Sequence, residues 1–122
     1  MRISELSWDG PPPIDSYGGG GFRVSGVFRA GGLLLTPGGM AGWPAAAPFS
    51  PEDFAPVIAE AAETDVLLVG MGREIAPLPA PVRLALEAAG IGAEVMATGA
   101  ACRTYNVLLS EGRRVAAALV AV

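Results

Sequence analysis

Alternating apolar and polar residues predict the first strands of the chain. In the stretch FRVSGVF, residues 22–28, apolar positions and glycine alternate with Arg, Ser and Val, which is the period of a half-buried β-strand. Two glycines then turn the chain into the apolar run LLLT at 33–36. We expect these two strands to form an N-terminal hairpin, followed by an ordered loop over 38–48 that Trp43 anchors.

A helix start comes next along the chain. Ser50 and Pro51, followed by two acidic residues, are typical of a helix N-terminus. Pro56 would interrupt one continuous helix, because it lacks the backbone N–H and its ring clashes with the preceding turn. The pattern therefore predicts a short turn at 51–54 and a helix from about 56 to 63.

The strongest fold signal lies in the second half of the chain. An apolar run at 66–69, a helical pattern at 81–89 and a second strand at 93–97 make a βαβ unit, whose strands are parallel. A helix at 99–111 and a strand at 115–122 follow. We predict an α/β fold with a mixed central sheet, an added N-terminal β-hairpin and helices packed on the sheet.

Composition narrows the class of protein. The chain has 122 residues, 52% of them apolar and 16% charged, so we expect a single packed domain over 1–122. The net charge of -4 provides no basic surface for nucleic acid. The longest apolar run, at 115–122, is far shorter than the roughly 20 residues of a transmembrane helix. In residues 1–10, Glu5 and Asp9 stand where a secretory signal would have an uninterrupted apolar stretch. We therefore expect the mature protein to begin with this segment.

Two absent residue types exclude much enzyme chemistry. The chain has no histidine and no lysine, which excludes Ser-His-Asp and Cys-His catalysis, imidazole metal ligands, the Walker A loop and Schiff-base chemistry. The stretch VGMGRE at 69–74 begins like a dinucleotide fingerprint, but Ile75 replaces the last glycine and no helix opens directly after it. We therefore expect no cofactor and no metal.

The single cysteine, Cys102, has two interpretations. Near the start of a helix and beside Arg103, it would be favoured as a thiolate and so as a nucleophile. It also adjoins an apolar helical stripe, and a buried cysteine acts as a small hydrophobic residue with a raised pKa. The stripe consists of Ala101, Tyr105, Leu108 and Leu109. Without a histidine base, the packed interpretation is favoured. Separately, one cysteine allows no internal disulfide, which fits a reducing cytoplasm.

A binding site is also predicted at the carboxyl ends of the parallel strands. The loops that leave these ends meet on one side of a sheet, so residues 70–73 and 98–103 should be neighbours. Amides at the helix start together with an arginine would bind a carboxylate, a phosphate or an acidic partner loop. The candidate ligand- or anion-binding residues are Gly70, Gly72, Arg73, Thr98, Cys102 and Arg103.

Four stretches of the sequence carry a family resemblance. YGGGGF at 17–22, LLLTPGGMAGW at 33–43, VLLVGMG at 66–72 and AACRTYNVL at 100–108 resemble the Mth-domain family of small bacterial, archaeal and mitochondrial proteins. The resemblance covers nearly the whole chain and implies a three-layer α/β fold with a mixed central sheet. In that family, the mitochondrial branch assists assembly of NADH:ubiquinone oxidoreductase, respiratory complex I. Most bacterial members are of unknown function, without established catalytic residues.

Two hypotheses of function follow from the residues and the resemblance. The first is a noncatalytic binding or assembly factor related to complex I assembly, with an exposed apolar patch near Trp43 and the 38–48 loop for a protein partner or for self-association. The second is a small-molecule or anion-binding protein, or an enzyme, that uses the cleft at 70–73 and 98–103. Without a mitochondrial targeting segment, the chain resembles a bacterial-type member that acts in the cytoplasm or at the cytoplasmic membrane face.

Overall fold

The computed structural model describes residues 11–122 and contains two β-sheets with helices packed between and beside them. The expected start of the mature protein, at residues 1–10, lies outside the described residues. The strands are β1 Ile14–Gly18, β2 Gly21–Val24, β3 Val27–Ala30, β4 Leu33–Thr36, β5 Gly39–Gly42, β6 Val66–Gly70, β7 Gly92–Met96 and β8 Val115–Leu119. The α-helices are α1 Ala55–Ile58, α2 Ala80–Ala88 and α3 Thr98–Ser110.

The central sheet is mixed and has five strands in the order β5-β4-β8-β6-β7. The predicted βαβ unit is confirmed, because β6 and β7 pair in parallel and α2 connects them. The last strand, β8, also lies parallel to β6, and it pairs antiparallel with β4 on its other side. The fold class predicted from the sequence is therefore confirmed, with the carboxyl ends of three parallel strands at one edge.

The N-terminal hairpin is present, but between different residues from those predicted. Residues 22–28 do not form one strand, because Ser25 and Gly26 make a two-residue turn with φ values of 52° and 78°, as hairpin turns of type I′ require. Val24 therefore pairs with Val27, and the strands β1, β2 and β3 form a separate three-stranded sheet. The predicted pairing with 33–36 is wrong, because β4 pairs with β5 and β8 instead.

Part of the predicted loop at 38–48 is the edge strand β5, and Trp43 anchors the segment that follows it. The Trp43 ring lies 5.3 Å from the Phe49 ring, and its Nε1 donates to the Asp53 carbonyl oxygen at 2.8 Å. Trp43 is only 4% exposed. The prediction of an exposed apolar patch near Trp43 is therefore wrong for Trp43 itself, since that side chain belongs to the core.

The helical segment after Ser50 is interrupted, as predicted from Pro56, but its α-helix is shorter than the predicted one. A 3₁₀ turn at Pro51–Phe54 precedes α1, and a second 3₁₀ turn at Ala61–Glu63 follows it. Pro56 lies in the first turn of α1, where its missing N–H costs no hydrogen bond. The predicted continuous helix to residue 63 ends at Ile58 instead.

Two apolar clusters give the protein three layers. One cluster joins the three-stranded sheet and α3 to one face of the central sheet, and the other joins α1, α2 and the Trp43 segment to the opposite face. Residues alternate between the two along β8: Val115, Ala117 and Leu119 pack in the first, Ala116 and Ala118 in the second. Within the described residues, no helix is both long and apolar enough to cross a membrane.

Candidate functional site

The two loops that the sequence predicted as neighbours do lie side by side. The N–H of Thr98 donates to the Gly72 carbonyl oxygen at 2.9 Å, and the N–H of Gly72 donates to Thr98 Oγ1 at 2.8 Å. The same hydroxyl donates to the Val120 carbonyl oxygen at 2.7 Å. Thr98 is completely buried, so its side chain joins the ends of β6, β8 and α3 inside the protein.

This junction is closed rather than open to a ligand. Gly70 and Gly72 are both buried, and a Cβ added at Gly70 would lie 3.0 Å from the Thr98 Cα. Only a glycine lets the β6 backbone approach α3 so closely. The first amide of the helix, at Thr98, is already hydrogen-bonded to Gly72. Three of the six candidate residues therefore build the junction, while Arg73 and Arg103 are exposed.

Two of the six candidates, Cys102 and Arg103, line a pocket that faces the three-stranded sheet, and Arg73 does not. This pocket of about 270 Å³ lies between α3 and β1 and includes Cys102 and Arg103. The β1 side contributes Asp15, Ser16 and Tyr17. Arg103 Nη1 lies 3.4 Å from the Tyr17 hydroxyl oxygen, which is a long hydrogen bond. The residues that line the pocket therefore include one arginine, one aspartate and two residues with hydroxyl groups.

Tyr17 reaches this pocket because of a glycine in the first turn of α3. A Cβ added at Gly99 would lie 2.9 Å from the Tyr17 Cζ, so the ring rests directly on the helix backbone there. Tyr17 itself is 42% exposed. Its ring covers part of the helix start and leaves the guanidinium of Arg103 facing solvent.

Cys102 is placed for packing rather than for nucleophilic attack. Its side chain is 3% exposed and packs in the cluster between α3 and the two sheets. Burial raises the pKa of the Cys102 thiol from 9.0 to about 11, and the positive charge of Arg103 opposes this only in part. The thiol is therefore protonated at neutral pH, and a protonated thiol is a poor nucleophile.

Two further residues of the same helix attach the N-terminal segment, and neither role was predicted from the sequence. The completely buried Tyr105 donates its hydroxyl to the Pro12 carbonyl oxygen at 3.2 Å. Asn106 makes two hydrogen bonds to the backbone of Ile14. Periodicity places both residues on the helix, but it cannot show which strand they contact. In the recognisable AACRTYN stretch, Tyr105 and Asn106 thus attach the chain at and just before the start of β1 to α3.

No group of three or more metal-ligating side chains occurs among residues 11–122. Several of the described carboxylates have local partners. Asp65, for example, pairs with Arg114 at 2.7 Å, and the hydrogen bond from that guanidinium lowers the pKa of the Asp65 carboxyl. Near α3, the described residues present the guanidinium of Arg103 beside the polar residues of β1.

Comparison with other proteins gives consistent matches. A family model described as protein of unknown function (DUF498/DUF598) matches residues 14–120. An uncharacterized protein of Rhodobacter capsulatus is 47% identical over 98% of this chain and 93% of its own. The rat NADH dehydrogenase (ubiquinone) 1 alpha subcomplex assembly factor 3 is 32% identical over 98% of this chain. The alignment covers 66% of that relative's own length.

Solved structures show the same fold. A crystal structure described as an outer membrane protein from Bartonella henselae has a TM-score of 0.86 and 41% identity, over 95% of this chain and 99% of its own. A solution structure of a Mth938-like domain from Bordetella pertussis has a TM-score of 0.69 and 31% identity, over 89% and 85% of the two chains. At these identities the likeness extends to sequence as well as to topology.

Proposed function

The chain belongs to the DUF498/DUF598 family of proteins of unknown function, and from that premise we propose that it is a noncatalytic binding protein that assists the assembly of a respiratory NADH dehydrogenase. The Mth-domain resemblance in its sequence is confirmed by this membership and by the Mth938-like neighbour. The observation that carries the proposal is the match of 98% of this chain to a named assembly factor at 32% identity.

The chemistry of the described residues supports binding over catalysis. The one thiol is buried and protonated, and the chain has neither histidine nor lysine. Among residues 11–122, six large apolar side chains are exposed on several elements, and those that adjoin one another would be the first to test as a partner surface. They are Tyr17, Val27, Phe28, Ile75, Leu84 and Val107.

Affinity purification from cells that carry the gene tests this function. The tagged protein should recover subunits or assembly intermediates of the NADH dehydrogenase, and deletion of the gene should leave partly assembled complex on native gels. The untagged strain and a tagged unrelated protein of similar size are the controls. Recovery of no such subunit, together with normal complex in the deletion strain, contradicts the proposal.

Cell fractionation tests where this function takes place. We expect the protein in the cytoplasm or at the cytoplasmic membrane face, where a dehydrogenase is assembled. The solved relative from Bartonella henselae is described as an outer membrane protein, which is a different location. Separation of the inner and outer membranes by density, followed by immunodetection, distinguishes the two, and an outer-membrane signal contradicts our expectation.

A second candidate function is binding of an anion or small acidic molecule, or an enzyme activity, at Gly70, Gly72, Arg73, Thr98, Cys102 and Arg103. The pocket beside Arg103 favours it. Arg103 would contact the ligand with the Tyr17 hydroxyl, while the glycines and Thr98 would hold α3 in position. Inorganic phosphate should then shift the NMR amide signals of 99–103 in a saturable manner.

Two variants make this phosphate titration specific. Arg103→Gln should abolish the saturable shifts, whereas Arg113→Gln, an exposed arginine between α3 and β8, should leave them unchanged. Equal shifts in the two variants would mean that the anion responds only to the general charge of the surface.

A further inference from the structure

The outer edge of β7 is open within the described part of the chain. β7 is the last strand of the central sheet and pairs only with β6 there. The Met96 carbonyl accepts the Met71 N–H on the β6 side. Because backbone groups alternate along a strand, Ala93 and Val95 direct both their N–H and their C=O away from β6. These two residues therefore present a ready template for one more strand.

A groove runs along this open edge, between β7 and α2. Its volume is about 280 Å³, and it is lined by the side chains of Ala93 and Val95 and by an apolar floor. That floor consists of Leu78, Leu86 and Ile91. The residues that expose their backbone groups are thus the same ones whose side chains border the groove.

The end of α2 places one apolar side chain, that of Ile91, in the lining of the groove. Gly90, with φ of 80°, follows the last helical turn, and Ile91 donates its N–H back to the Leu86 carbonyl oxygen at 3.0 Å. This C-terminal arrangement folds Ile91 under the helix, where it is 3% exposed. Ile91 thereby becomes part of the lining of the groove, next to Gly92 and Ala93 of β7.

The charges around the groove favour a partner with basic residues. Glu94 lies between Ala93 and Val95, on the opposite face of the strand, and is exposed. On the groove side, Arg83 and Glu87 lie 3.8 Å apart on α2 with more than half of each side chain exposed. An added strand would place alternate side chains in the groove and the others beside Glu94, where a positive charge is favoured.

The same charge disfavours a second copy of this chain as the occupant. Glu94 is the middle residue of β7. In a symmetric antiparallel pair of two β7 strands centred there, Glu94 would lie opposite its own counterpart, and like charges directly opposite each other are destabilising. The preferred occupant is therefore a different protein.

From these observations we propose that the β7 edge and the groove beside α2 bind an extended segment of a partner protein, in which apolar side chains alternate with basic ones. The segment adds to the sheet by main-chain hydrogen bonds to Ala93 and Val95, and its apolar side chains enter the groove. The inference rests on the proposed binding function and gives the chemistry of the partner segment.

Titration with synthetic peptides tests this site. The probe is a capped hexapeptide alternating valine and arginine, added to isotope-labelled protein and followed by NMR. We expect saturable shifts centred on the amides of Ala93 and Val95. A second hexapeptide, with glutamate in place of arginine, should bind more weakly because its charges lie beside Glu94.

Three variants separate the parts of the site. Val95→Pro removes the outward N–H without affecting a bond to β6, since proline is tolerated at such edge positions, and it should abolish binding. Glu94→Lys should weaken binding of the arginine peptide by about three- to tenfold and strengthen binding of the glutamate peptide. Glu111→Lys makes the same change of charge at the end of α3 and should change neither affinity.

Several results overturn the proposal. The site is wrong if neither peptide shifts Ala93 and Val95, or if the two peptides bind equally. Shifts at these amides that grow with protein concentration alone would make a second copy the occupant. If Val95→Pro does not fold, the charge exchange at Glu94 still decides.

Co-purification separates this inference from the proposed function. If the unmodified protein and a folded Val95→Pro variant recover the same dehydrogenase subunits, the groove is wrong while the function stands. If the peptides bind as expected but no subunit is recovered, the groove stands and the function is wrong.

Discussion

Asn106 of α3 holds the backbone of Ile14 in the way a neighbouring strand would. Its Nδ2 donates to the Ile14 carbonyl oxygen at 2.8 Å, and its Oδ1 accepts the Ile14 N–H at 2.8 Å. The helix thus satisfies both backbone groups at the start of β1, the edge strand of the small sheet. This pair joins α3 to the small sheet over a separation of 92 residues in sequence.

Asn106→Leu should detach the start of β1 from α3. The variant keeps a side chain of similar size but leaves both Ile14 backbone groups without their partner, which costs about 1 to 3 kcal/mol for half-buried groups. The free energy of unfolding from urea titration measures the loss. Hydrogen exchange at Ile14 should accelerate more than exchange in β6. Asn106→Gln is the control, because it keeps the amide group but moves it one methylene further from the backbone and so out of position for Ile14.

Thr98→Val should destabilise the junction at the carboxyl ends of the strands. The change retains the shape but removes the hydroxyl that bonds Gly72 and Val120, and leaving buried backbone groups unpaired costs about 1 to 3 kcal/mol. Thr98→Ser retains the hydroxyl and should lose less. Thermal unfolding of the three proteins checks the order, and equal stability of the valine and wild-type proteins would contradict the hydrogen bonds' importance.

The stability of the protein should fall at high pH because of Cys102. Folding raises the pKa of this thiol to about 11, so the fold favours the protonated form. That contribution is fully present below the unfolded pKa near 9.0 and is lost as the pH rises toward about 11. The loss is at most about 3 kcal/mol for a shift of this size.

Cys102→Ala isolates this contribution from other groups that titrate at high pH. The difference in unfolding free energy between wild type and variant should decrease as the pH rises through the window near 9.0 to 11. Burial also raises the pKa of Tyr105. Because Tyr105 is present in both proteins, its contribution cancels in the difference. In the folded wild type, alkylation of the thiol should be about a hundredfold slower than in an unfolded chain. Fast alkylation of folded protein would show an accessible thiolate.

Adjacent glycines before β4 should differ in their tolerance of a methyl group. A Cβ at Gly32 would collide with the Trp43 carbonyl oxygen and lie 2.9 Å from that of Leu119, so Gly32→Ala must displace strand backbone and should cost about 3 kcal/mol or more. Gly31 has open space around it and a φ of 87°. Gly31→Ala should therefore cost only about 1 to 2 kcal/mol, the price of that conformation. Melting temperatures of the two variants test the order.

The second half of the chain was predictable because its signals are local. An apolar run marks β6, a helical stripe that ends at a glycine marks α2, and a second short strand pattern marks β7. The predicted helix at 99–111 corresponds to α3 at Thr98–Ser110. The short connections of a βαβ unit then leave few arrangements for its strands. In the first half, the turn at Ser25 and Gly26 divides what alternation alone presents as one strand.

The candidate site was only partly predictable for the same reason. Parallel strands bring residues 70–73 and 98–103 together, and this could be inferred from topology. The contribution of β1 could not, since Tyr17 reaches Arg103 across 86 residues of sequence. Nothing in the local pattern around Asn106 indicates that its amide binds Ile14 instead of a ligand.

Local periodicity and composition determined the class of fold, the order of most elements and the exclusion of histidine and lysine chemistry. Those properties depend on neighbouring residues and on counts, which the chain carries directly. Tertiary structure decided which faces are covered. At Cys102 the positive charge of Arg103 favours a thiolate, but the small sheet and the central sheet remove the thiol from water, and desolvation outweighs the effect of Arg103. At β7 the tertiary fold leaves the edge open, because no later described strand returns to it.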